Sequence, residues 1–241
     1  MREIDLGLDF DRFNETRLHA RLTASRNSEA MSKTWSSAAS ASFKYAVDAV
    51  LAVVALLVLS PMILMLTAML LVLQGRPIFV AHRRIGKHGA TFPCLKFRTM
   101  VPNADEVLAR HLDANPRQKE EWMATRKLRD DPRVTPFGAL LRKSSIDEVP
   151  QLLNVLRGHM SLVGPRPIVG SEAELYGPHF ADYIRVRPGL TGLWQVSGRS
   201  DTTYSERVQL DVLYVRQRSF LGDLAIMLKT IPAVLRSRGS C

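Results

Sequence analysis

Cysteine is scarce: Cys94 and Cys241 are the only two in 241 residues, too few for a disulfide scaffold and without metal-ligand spacing. The six histidines are scattered, so a zinc module has no support either. The chain has no Walker A loop, no GxGxxG turn and no serine nucleophile elbow. A reducing, cytoplasmic setting fits this cysteine usage.

The most informative absence is local. From Ala49 to Leu73 there is no charged residue across 25 positions. As a helix this run would be about 37 Å long, against a hydrocarbon core of about 30 Å. A buried core helix of that length and uniformity is a poor alternative. A cleaved signal peptide does not fit, because more than forty largely polar residues precede the run. The sequence therefore places the protein in or on a membrane.

Inside the run stands "LLVLSPMILM", with Ser60-Pro61 near its centre. Proline has no N–H, and its ring collides with the carbonyl four residues back, at a cost of about 3 kcal/mol or more mid-helix. Ser60 is pushed from helical dihedrals, yet its hydroxyl can serve a carbonyl left without a donor. The run thus reads as two half-helices, Tyr45–Leu59 and Met62–Leu73, meeting at a break. Lys33 and Lys44 precede it, and Arg76, Arg83, Arg84 and Lys87 follow. Basic flanks favour the cytoplasmic side, and a re-entrant helix–break–helix keeps both there. A proline-kinked spanning helix is the competing topology.

Residues 1–43, with "SRNSEAMSKTWSSAASAS", form a flexible N-terminal arm in this reading; 44–74 form the re-entrant element and 75–241 a cytosolic domain. Two β-like segments around Gly86-Lys87-His88-Gly89 predict a small hairpin. Asn103 with Glu106 marks a helix start running to about Asn115, and Thr135-Pro136 marks another. Phe220, Leu221, Leu224, Met227, Leu228, Ile231 and Leu235 fall at helical spacing, with Lys229, Arg236 and Arg238 around them. That segment is amphipathic, suited to packing on the core or to a membrane interface. The fold class expected is mixed α/β and mainly helical, with interfacial amphipathic helices on a cytosolic domain.

The richest chemistry lies in "LRKSSIDEVPQLLNVLRGHMSLVGPRP". Asp147-Glu148 is an acidic pair among arginines and glycines. Its bland explanation is a capping box, Ser145 with Glu148 three residues on, but that leaves Asp147 without a task. "SLVGPRP" and "RPGLTGLWQVSGR" put Gly and Pro beside Arg166, Arg185, Arg187 and Arg199, as phosphate-binding loops do. Carboxylates with arginines suit phosphoryl chemistry, through a bound Mg2+ or through a covalent aspartyl-phosphate.

These pieces, with "LKFRTM", "DPRVTPFGALLRKSSIDEVPQLLNVLRG" and "LDVLYV", run in order from about Lys44 to Arg238. Together they resemble the bacterial sugar transferases, the monotopic phosphoglycosyl transferases that begin exopolysaccharide and lipopolysaccharide assembly. The chain resembles their short form. The resemblance implies a re-entrant membrane helix on the cytoplasmic face of the inner membrane. It also implies Mg2+-dependent transfer of a sugar-1-phosphate from a UDP-sugar to undecaprenyl phosphate, with galactose or glucose the favoured sugar. On it, Asp147 falls on the nucleophile and Glu148 on its partner, both as candidate metal ligands together with Asp211. Arg166 falls on a phosphate-contacting arginine; Lys96, Arg98 and Arg199 join it as further phosphate-binding candidates. The partners implied are UDP-sugar, undecaprenyl phosphate and membrane lipids, with no nucleic acid, and a homodimer is compatible. His159 replaces an acid usual in the family, and "QGRPIF" inserts an arginine at the membrane junction. Competing classes are a membrane-anchored scaffold with no catalysis and, on charge alone (net +10), a nucleic-acid binder.

Overall fold

The computed structural model describes residues 38–125, 128, 130–197 and 203–235. Helix α1 (Ala38–Gln74) runs through Ser60-Pro61 without interruption, so the expected break is not there. Ser60 supplies the reason: its Oγ donates to the Leu57 carbonyl at 2.7 Å, the acceptor that Pro61 leaves without an N–H. The helix also begins at Ala38, six residues inside the stretch expected to be an arm.

A single stripe of α1 meets the rest of the protein along its whole length, about 55 Å at 1.5 Å per residue. Ala52, Ala55, Leu56 and Leu59 pack with Phe92, Cys94, Leu152, Val155 and Met160. Beyond Pro61, Met62, Ile63, Leu66 and Leu70 pack with Phe97, Phe137 and Leu141. Gln74 then donates to Thr135 Oγ1 at 3.0 Å. The remaining faces expose the apolar side chains of Val50, Val54, Leu57, Val58, Leu64, Met65 and Val72. Lys44, counted as flanking charge, is buried and ion-paired to Asp48 and Asp223. The helix ends at Gly75, whose φ of +69° suits a residue without Cβ.

Strands β1 (Phe79–Ile85) and β2 (Thr91–Phe97) form the expected antiparallel hairpin. Helix α2 (Ala104–Ala114) sits where Asn103 and Asn115 bracket it, although Asn103 makes no side-chain cap bond. α3 (Pro116–Thr125) follows, then α4 (Pro136–Lys143), where Thr135 Oγ1 accepts from the Gly138 amide at 2.9 Å. A 3-10 turn (Ile146–Glu148) leads into α5 (Gln151–Leu156) and the short strand β3 (Ser161–Val163). α6 (Gly170–Tyr176), α7 (Phe180–Tyr183), β4 (Gly189–Thr191), α8 (Leu193–Ser197), α9 (Tyr204–Gln217) and α10 (Phe220–Leu235) complete the order.

β3 and β4 pair in parallel, which joins the two Gly-Pro-Arg segments backbone to backbone. A Cβ on Gly189 would lie 2.1 Å from the Gly164 nitrogen, so only glycine permits the approach. The last helix forms over the expected segment, and its apolar residues divide between core and surface. Ile226 is buried and Met227 packs beside it, while Phe220, Leu221, Leu224, Leu228 and Ile231 are exposed.

Candidate active site

Residues opposed across a strand pair project from the same face. In the hairpin register Val80 faces Lys96, His82 faces Cys94 and Arg84 faces Phe92. His82, Arg84 and Lys96 therefore rise from one side and floor a cavity of about 810 Å3. Asn154, fully buried in α5, fixes the hairpin there. Its Oδ1 accepts from the Leu95 amide at 2.9 Å and its Nδ2 donates to the Pro93 carbonyl at 2.7 Å. Lys96 is thereby held over the turn that carries the acidic pair.

That turn is not the capping box the spacing allowed. Ser145 makes no side-chain cap bond and holds φ +57°, a left-handed conformation costing roughly 1–2 kcal/mol for a residue with a Cβ. The twist turns Asp147 and Glu148 toward the cavity, where both line the wall. Lys96 Nζ lies 2.7 Å from Glu148 Oε1 and 3.7 Å from Asp147 Oδ2. Burial pushes the Asp147 carboxyl above its ordinary value, and the adjacent Glu148 charge adds to this while Lys96 and Arg142 pull it back. Burial acts on Glu148 in the same sense, but Lys96 and Arg166 outweigh it and hold that carboxyl low. Two neighbouring acids are thus driven apart in basicity, which divides their roles.

Arg166 follows Gly164 and Pro165 out of the tight β3–β4 contact, lines the cavity and lies 5.7 Å from the Trp194 ring centroid. Asp211, expected with the pair as a metal ligand, does not line this cavity. It is buried behind the wall, accepts from the Tyr176 hydroxyl at 2.7 Å and faces the backbone amide of Arg166. Burial raises its carboxyl to about 7. Its place makes it a support for the Arg166 loop rather than a ligand.

Arg98 lines the cavity but spends Nη2 on the Gln74 and Gly75 carbonyls at the end of α1, a cation at a helix C-terminus. Arg185 is exposed and pairs with Asp182, and Arg187 stacks 3.8 Å from the Tyr45 ring centroid; neither reaches the cavity. Arg199 lies outside the described residues.

Sequence reasoning missed Arg142, Glu172, Trp194, Tyr204 and Arg207, which line the same space, and assigned Arg84 to the membrane flank. Arg84, His82 and Lys96 had a usable signal in the alternation of the two strands. The others come from separate helices, and only packing brings them together.

Among the described residues no three His, Cys, Asp or Glu side chains converge as a metal-ligand set. Two adjacent carboxylates beside an open cavity still fit Mg2+, which binds through one or two carboxylates and completes its shell with water and substrate phosphates.

Acids of opposed basicity under a crown of arginines, beside a helix sheathed in apolar side chains, belong to an enzyme that handles phosphate esters at a lipid surface. Comparison with known proteins specifies that class. The family described as Bacterial sugar transferase matches residues 39–237; the chain belongs to it and is a phosphoglycosyl transferase. The exopolysaccharide production protein ExoY of Sinorhizobium fredii is 55% identical over 82% of this chain and 87% of its own length. The undecaprenyl-phosphate galactose phosphotransferase of Salmonella typhimurium is 46% identical over 80% of this chain and 40% of its own. The UDP-glucose:undecaprenyl-phosphate glucose-1-phosphate transferase of Caulobacter vibrioides is 37% identical over 80% and 69%.

Proposed function

We propose that this enzyme moves a hexose-1-phosphate, galactose or glucose, from a UDP-sugar to undecaprenyl phosphate in exopolysaccharide synthesis, through a phosphosugar ester on Asp147. An Asp147 carboxylate oxygen attacks the sugar-bearing phosphorus. The bond to the bridging oxygen breaks, and UMP leaves with the electron pair. A phosphate oxygen of the lipid then attacks the same phosphorus and returns Asp147 to its carboxylate. Asp147 lines the cavity beside Lys96 and Arg142 with its carboxyl made more basic by burial; this placement among cations in an open cavity carries the reading.

Glu148, kept ionised by Lys96 and Arg166, orients the lysine and offers the second oxygen ligand to Mg2+. Asp147 and Glu148 would hold the ion, which would supply neutralisation of the diphosphate charge. Arg84, Arg142 and Arg166 bind phosphate oxygens, and the forked guanidinium suits that task. The path of α1 supports a monotopic arrangement, because residues on both sides of Pro61 rest on one domain. In this reading the unbroken helix lies with its domain at the cytoplasmic face of the inner membrane and presents its exposed apolar sides to lipid.

The test is UMP release by detergent-purified protein with Mg2+, undecaprenyl phosphate and a panel of UDP-sugars, beside Asp147→Asn. Release with one sugar, falling about a thousandfold or more in the variant (roughly 4 kcal/mol of barrier), is expected. Release by Asp147→Asn at the wild-type rate overturns the covalent route.

A further inference from the structure

Ten buried side-chain polar atoms among the described residues have no hydrogen-bond partner. Each such atom costs about 1–3 kcal/mol unless something meets it. Seven of the ten belong to residues lining the cavity: two on Arg98, and five on one wall made by α8 and the start of α9. Those five are Trp194 Nε1, Gln195 Oε1, the Tyr204 hydroxyl, and Arg207 Nε and Nη2.

We infer that the wall of Trp194, Gln195, Tyr204 and Arg207 is the pocket for the pyrimidine base of the nucleotide donor. The inference rests on the reading above that the donor is a uridine diphosphate sugar.

Position is the first argument. Asp147 and Glu148 stand over Lys96, which faces Val80 across the ladder. Arg84 is four residues further along β1, roughly 13 Å at 3.3 Å per residue. It pairs with Glu172 at 3.6 Å, and Glu172 pairs with Arg207 at 3.7 Å. Arg207 is thus reached from the floor through Arg84 and Glu172, while Gln195 forms the near edge of the wall and shares a narrow cleft with Lys96, Glu148 and Arg166. In the donor the hexose is bonded directly to the phosphate under attack, whereas a second phosphate and a ribose separate the base from it. The base belongs against the wall of Trp194, Tyr204 and Arg207, the hexose beside Asp147, and the diphosphate between them near Arg84 and Arg166.

Chemistry is the second. A uracil edge presents a carbonyl, an N–H and another carbonyl, and so needs donor, acceptor, donor. Gln195 donates its Nε2 to the Leu190 carbonyl at 3.2 Å, which fixes the amide with Oε1 as the acceptor. Trp194 Nε1 and the Arg207 nitrogens are the donors. Arg207 lies 4.9 Å from the Trp194 and 5.0 Å from the Tyr204 ring centroid, a rigid aromatic plate of the kind on which bases stack for about 1–3 kcal/mol.

The experiment is equilibrium dialysis of UMP, CMP and ribose 5-phosphate against the full chain in detergent, without lipid acceptor, for wild type, Trp194→Phe and Gln195→Leu. UMP is expected to bind about tenfold or more tighter than ribose 5-phosphate, with CMP weaker than UMP because its edge mismatches Gln195. Gln195→Leu should remove about tenfold of UMP affinity and leave ribose 5-phosphate within about twofold. Trp194→Phe, which keeps the ring and loses the N–H, should show a smaller loss with the same selectivity. Equal weakening of both ligands, or unchanged UMP affinity with an altered KM among UDP-hexoses, overturns the base pocket in favour of a phosphate or sugar role. The unchanged ribose phosphate affinity reports that each variant is folded. Base-dependent binding in a protein that never releases UMP from a UDP-sugar would keep this pocket and remove the transferase reading; transfer with base-indifferent binding would do the reverse.

Discussion

Two clusters in this protein each set one lysine against two carboxylates. Under the first half of α1, Lys44 lies 3.2 Å from Asp48 and 2.8 Å from Asp223. In the cavity, Lys96 lies 2.7 Å from Glu148 and 3.7 Å from Asp147. The first is closed: Ser161 Oγ donates to Asp48 at 2.5 Å, and the Tyr214 hydroxyl donates to Asp223 at 2.9 Å. None of its side-chain atoms is left buried and unpartnered among the described residues. The second opens onto a cavity of about 810 Å3 whose walls keep seven unpartnered polar atoms. A lysine with two carboxylates thus forms a closed latch in one place and faces an open cavity in the other. What separates them is saturation and access, not composition.

The largest effect that would sharpen this contrast is on stability. Lys44→Met leaves two buried carboxylates without their cation, so thermal unfolding in detergent should show a loss of about 3–5 kcal/mol. Turnover per folded molecule should be retained. An unchanged melting temperature would break the comparison, because the latch would then hold nothing.

Lys96→Met is expected to do the reverse. UMP release should fall by about a hundredfold, roughly 2.7 kcal/mol, with little change in melting. The pH dependence supplies the sign. Asp147 must be ionised to attack, its carboxyl already sits high through burial, and Lys96 lowers it while Glu148 raises it. Removing Lys96 therefore moves the acid limb of kcat/KM to higher pH, and Glu148→Gln moves it lower. Identical acid limbs in wild type and both variants would deny Asp147 the titrating role.

The smallest effect concerns the proline. Ser60→Ala removes the donor to the Leu57 carbonyl and should lower stability by about 1 kcal/mol. A variant as stable as wild type would mean that the carbonyl finds another partner.

Much of this was legible in the chain. The apolar run, the hairpin, the helix beginning at Pro136 and the acidic pair in its phosphate-handling context follow from periodicity, turn chemistry and local motifs. The break at Pro61 did not follow. Proline chemistry describes a lost hydrogen bond, but only the geometry of Ser60 shows that bond replaced. Asp211 and Arg98 were grouped with the site because they lie in motifs that resemble the family's. In space Asp211 braces the Arg166 loop, and part of Arg98 caps α1. The wall of Trp194, Tyr204 and Arg207 could not be seen at all, since nothing in linear order relates it to Lys96.

By itself the sequence determined that the chain carries one uncharged apolar run long enough to cross a membrane, that it carries adjacent carboxylates among arginines, and that it is mainly helical with a hairpin. Those properties depend on neighbours within a few residues, where hydropathy, caps and turns act. Only the tertiary structure decided which lysine is sealed in the core and which faces the cavity, which arginines face it too, and which acid burial makes the more basic. Each of those depends on burial and on charges brought from distant parts of the chain, and burial exists only once the chain has packed.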